Sequence, residues 1–167
     1  MVSHVSRRGR ELSAILDAIR QLVRALRQSS VEAERAVGVS GAQLFVLQTL
    51  GTSAAPMSVN DLAEATLTHQ SSVSVVVRKL VDRGLVQRRR AADDARRWEL
   101  EPTEEGRRLL AAAPPTAQQR LVESARRLPA DTQAALASGL AALLAEMQTS
   151  AEEAPMFFEE PDGDATR

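Results

Sequence analysis

Between positions 69 and 79 the sequence sets out side chains suited to recognition by hydrogen bonding: His69, Gln70, Ser71, Ser72, Ser74, Val75, Arg78 and Lys79. A carboxamide presents a donor and an acceptor side by side, so Gln70 can pair bidentately with an adenine edge. Short hydroxyls at Ser71, Ser72 and Ser74 let the backbone come close to the surface it reads, and Val75 suits a thymine methyl. Further along stand Arg88, Arg89 and Arg90, then Asp94, Arg96 and Arg97. Arg88 and Arg90 suit phosphate oxygens. Asp94, two residues before Arg96, is placed to orient that guanidinium through a bidentate pair.

Bond-making chemistry has no comparable set. The chain contains no cysteine, which excludes disulfides, thiolate nucleophiles and every cysteine-containing zinc site. Its two histidines, His4 and His69, are too few for a His-rich catalytic metal centre. A phosphate-binding loop and a nucleophile elbow are both missing from the sequence. No enzyme activity, cofactor or metal is expected.

The charge balance narrows the partner. The formal net charge is −1, but residues 66–100 hold eight basic against four acidic side chains, whereas 152–167 hold six acidic residues and Arg167. An approaching polyanion meets the basic segment rather than the total. With 44% hydrophobic residues in 167, the chain can bury the core of one domain and add an oligomerisation arm. No apolar run approaches the ~18 residues of a membrane span, and residues 1–10 lack the apolar stretch of a signal peptide. A soluble, cytoplasmic protein with no membrane partner is expected.

Helical periodicity places these residues. Leu12, Ile15, Leu16, Ile19, Leu22, Val23 and Leu26 form one stripe over residues 11–28, which needs either the rest of the domain or a second copy as its partner. A more polar stretch follows, ending at Gly38. Ser40 can cap a helix stopped by Gly51, and Ser58 with Asp61 has the form of a capping box. Thr68 is expected to cap a helix from about His69 to Arg83, ended by Gly84, with Val73, Val76, Val77 and Leu80 inward. Alternation over 85–90 and 97–100 around a polar loop with Asp93-Asp94 predicts a β-hairpin. Trp98 is expected to anchor that hairpin against the domain. Thr103 starts a helix through Ala113, interrupted at Pro114-Pro115 and resumed over 116–128; a last helix runs from near Pro129 to about Gln148. The fold class is therefore mostly α with a small two-stranded β wing. The expected organisation is a disordered arm over 1–10, a dimerisation helix and linker over 11–39, and a winged helix–turn–helix over 40–102. Dimerisation helices follow over 103–148 and a flexible acidic tail over 149–167.

Helix, turn, helix and wing together form the arrangement of a duplex-DNA reader, with the second helix in the major groove and the wing arginine in the adjacent minor groove. Expected contacts are Ser58, Thr68, His69, Gln70, Ser71, Ser72, Ser74, Val75, Arg78, Lys79, Arg88, Arg90, Asp94, Arg96 and Arg97. The segments SVNDLAEA (58–65), SSVSVVVRKLVDRGLV (71–86), Asp94-Ala95-Arg96 and TEEGRRLL (103–110) resemble the MarR family of winged helix–turn–helix transcription regulators. The resemblance spans residues 10–148 and implies a homodimer, double-stranded DNA with a pseudo-palindromic operator, and release by a small amphipathic or phenolic ligand. It places Ser71 and Ser74 on the base-reading face and Arg96 in the minor groove. The chain departs from the pattern at Val75, Ala95 and Pro102. Two other readings fit the same charges: a winged-helix adaptor that meets an acidic protein, and a ligand sensor that does not bind DNA.

Overall fold

The computed structural model describes residues 7–91, 98–147 and 156–157. Its first element, α1 (Arg7–Val37), is longer than the apolar stripe predicts. It begins inside the stretch expected to be a disordered arm and continues through the polar stretch after Gln28. Two buried serines explain the continuation. Ser30 Oγ accepts the amide of Gly41 at 3.2 Å, and Ser29 Oγ accepts that of Ala117 at 2.8 Å. Each satisfies an orphan donor at the start of another helix, so the polar end of α1 is a junction. Gly38, at φ +69°, ends the helix in the left-handed region that glycine adopts freely.

Next come α2 (Gly41–Thr52), α3 (Val59–Thr66) and α4 (Gln70–Asp82). The Ser40–Gln43 and Ser58–Asp61 pairs form complete capping boxes. Gly51 does not stop α2 but lies within it. A Cβ there would stand 2.5 Å from Leu110 Cδ1, so the glycine makes room for the later helix α5 (Glu104–Ala112). The core is built where these helices meet, from Leu44, Leu47, Leu62, Val73, Val76, Val77 and Leu80.

Strands β1 (Val86–Arg90) and β2 (Trp98–Pro102) pair antiparallel, with Val86 opposite Pro102 and Arg90 opposite Trp98. Met57 adds one residue to the edge, exchanging two backbone hydrogen bonds with Leu100. After α5, Pro114-Pro115 separates it from α6 (Ala117–Arg127), capped by Thr116, and α7 (Ala130–Glu146) follows. None of the residues of α7 is buried. Leu136, Leu140, Leu143, Leu144 and Met147 remain exposed, as do Leu12, Ile15, Leu16, Leu22 and Val23 of α1. Met156 is buried, in contrast to the flexible tail expected over 149–167.

Candidate nucleic-acid interface

The turn between α3 and α4 sets the pose of α4. Leu67 caps α3 in the left-handed conformation (φ 54°), an arrangement that costs a β-carbon residue about 1–2 kcal/mol. Surrounding hydrogen bonds hold it there: the amides of Leu67 and Thr68 donate to Glu64 and Ala63. The helix cap differs from the one predicted. His69 is the N-cap residue and makes no side-chain cap bond, while the Thr68 hydroxyl donates backward to the carbonyl of Thr66 at 3.2 Å. Thr68 is thereby drawn into the turn instead of the start of α4.

Helical geometry sorts the candidate residues of α4 into two sides. His69, Gln70, Ser71 and Arg78 are exposed, and Ser74, Val75 and Lys79 are half-buried. Ser71, Ser74, Val75 and Arg78 follow one another at three- and four-residue intervals, which makes a single stripe. Ser72 is an exception among the expected contacts, with only 8% of its surface exposed. It precedes Val76 by four residues and so shares the inward face. Ser58 is half-buried, and its hydroxyl both accepts from the Asp61 amide and donates to the Asp61 carboxylate. Those two bonds hold Ser58 as a helix cap.

On the wing, Arg88 and Arg90 are exposed along the same side of β1 as buried Val86. Arg89 points to the other side, where it pairs with Glu101 at 3.6 Å, and Gln87 donates to the same carboxylate at 2.7 Å. The Arg90 guanidinium lies over Trp98, 4.7 Å from the ring centroid. Trp98 is half exposed, so it braces the wing from within and is not an anchor buried against the domain. Asp94, Arg96 and Arg97 lie outside the described residues. Among the described residues no group of three His, Asp or Glu side chains could hold a metal ion, and no helix is long and apolar enough to cross a membrane.

Sequence reasoning missed the joints beneath this surface. Thr103 Oγ1 donates to the Gly84 carbonyl at 2.7 Å and accepts the Gly106 amide at 3.1 Å, tying the exit of α4 to the start of α5. Arg126 of α6 donates to the carbonyl of Ala65 at the end of α3. Threonine as a helix cap is legible in the sequence; its second bond, to a residue nineteen positions earlier, has no local signal.

A helix braced on a capped helix, with a two-stranded hairpin beside it, defines a winged helix–turn–helix fold. Residues 37–97 match the model of the MarR family. The transcriptional regulator BldR from Sulfolobus solfataricus has a similar structure, with a TM-score of 0.54 at 21% identity over 84% of this chain and 99% of its own. A probable transcriptional regulator from Pseudomonas aeruginosa gives 0.51 at 27% identity over 77% and 96%. BpsR from Bordetella bronchiseptica, solved to explain how 6-hydroxynicotinic acid regulates its DNA binding, gives 0.52 at 23% identity over 90% and 99%. No curated protein matches the sequence.

Proposed function

We propose that the protein is a homodimeric repressor that binds a pseudo-palindromic DNA operator and is released from it by a small amphipathic or phenolic ligand. The observation that carries this reading is the stripe Ser71, Ser74, Val75 and Arg78, with Gln70 beside it, turned away from the buried face of α4. In a major groove, Gln70 would read adenine and Val75 a thymine methyl, while Arg78, Lys79, Arg88 and Arg90 would neutralise phosphates. Arg96, oriented by Asp94 and flanked by Arg97, would enter the adjacent minor groove. His69, Ser58 and Thr68 would lie near the backbone at the helix starts. Ser72, on the inward face, is left out of the contact set.

Dimerisation is supported by the apolar residues that α1 and α7 leave exposed. Burying such side chains contributes about 1.5–3 kcal/mol each for a full burial, a gain available only against a second surface. Two reading helices presented one DNA turn apart, ~34 Å, would match two half-sites. A ligand that favours another separation would weaken operator binding by its differential affinity for the two forms, typically ~1–3 kcal/mol. BpsR, a neighbour in fold whose DNA binding 6-hydroxynicotinic acid regulates, is the model for that step.

A footprint on the DNA upstream of the protein's own gene tests the reading. A protected pseudo-palindrome is expected, with affinity falling steeply as salt rises because bound counterions are released. A lack of protection at any salt would favour the adaptor, or the sensor if a small molecule still raised the melting temperature.

A further inference from the structure

The acidic C-terminal stretch contains one apolar group, Met156-Phe157-Phe158, and the first two of these residues are seated on the domain. With Phe45, Leu67, His69, Leu121 and Val122 they line an open cleft of about 300 Å³ between α2, α6 and the α3–α4 turn, Phe157 remaining half exposed. Met156 is 5% exposed and belongs to the same buried cluster as Phe45. Gln118, itself 6% exposed, donates from Nε2 to the carbonyl of Phe157 at 3.1 Å. Its Oε1 is buried without a hydrogen-bond partner among the described residues.

These features describe a segment held on the domain by both packing and a hydrogen bond. A thioether on an unbranched chain fills an irregular cleft well. The buried carboxamide reads the backbone of the segment, a contact that needs a peptide carbonyl and not merely an oily side chain. The cleft lining includes Leu67, whose left-handed backbone makes the turn between α3 and α4. We propose that Met156–Phe157 is an internal ligand of the domain, a latch that packs into the cluster of Phe45, bonds to Gln118 and walls one side of this cleft, bracing the turn ahead of α4. Its consequence for duplex reading rests on the proposed function; its docking does not.

Hydrogen exchange of the full chain tests the docking. Met156→Asp should speed exchange in the peptides covering 62–73 and 117–122 by about tenfold or more, as expected when a local packing contact is lost. Met156→Leu should keep the original protection, and a synthetic peptide of residues 152–160 should restore it to the Met156→Asp protein. Unchanged exchange in Met156→Asp, or failure of the peptide to restore protection, would overturn the latch. The absence of native cysteine permits a second measurement with Leu121→Cys and Phe157→Cys and a short bis-maleimide linker. A cross-link within one chain supports the proposal. A cross-link between chains would assign the cleft to a second copy, and no cross-link would remove the segment from it; either result overturns the internal latch. Neither measurement involves DNA, so docking of the segment and binding of the duplex can fail independently.

Discussion

Arg90 and Trp98 stand opposite each other at the last described register position of the wing, with the guanidinium stacked over the indole at 4.7 Å. The pair closes the described part of the hairpin, next to buried Ala91. Trp98→Ala should lower stability by about 0.5–1 kcal/mol through the lost cation–π contact, plus whatever ring packing contributes. Chemical denaturation of Trp98→Ala and Arg90→Ala, singly and together, checks this. Fully additive losses would show that the two residues do not interact.

Arg96→Ala should weaken operator binding by about 1–3 kcal/mol and reduce its salt dependence. An unchanged gel-shift midpoint would remove Arg96 from the interface.

Gln70→Ala should narrow the difference between operator and random DNA more than it lowers binding to random DNA. In the proposed complex the exposed carboxamide at the first turn of α4 would meet a base edge, where contacts specify rather than merely hold. Equal losses on both duplexes would make it a backbone contact.

Gly106→Ala should destabilise the domain by about 1–3 kcal/mol or more, the cost of overpacking against a rigid neighbour. A Cβ at Gly106 would stand 2.2 Å from the carbonyl oxygen of Leu85, which is backbone and already accepts the Thr103 amide. Urea unfolding measures the loss; a wild-type midpoint would mean that α5 can slide away from β1 without penalty.

Leu140→Asp with Leu144→Asp should abolish self-association, since both side chains lie on the uncovered surface of α7. Sedimentation velocity should then report a monomer. A dimer of unchanged stability would exclude α7 from the interface.

Features set by neighbours along the chain are legible in the sequence. The Ser58–Asp61 box, the break at Pro114-Pro115 and the glycine end at Gly84 all depend on a few consecutive residues, and each stands where the pattern puts it. The apolar side of α4 is also readable, because Val73, Val76, Val77 and Leu80 repeat with the helix. Ser72 shows how that reading fails. Its hydroxyl suggests an outward position, while its four-residue spacing to Val76 turns it inward.

Local pattern alone determined the capped starts at Ser40, Ser58 and Thr103, the stop at Gly84 and which stretch carries positive charge, because caps, breakers and periodicity act within a turn or two. Tertiary structure decided what those elements touch. It turned Ser29 and Ser30 into clasps for two other helices, left α7 without cover, and seated Met156 beside Phe45. Burial and hydrogen-bond pairing between residues far apart in the chain depend on how whole elements pack, and no window of neighbouring residues encodes that.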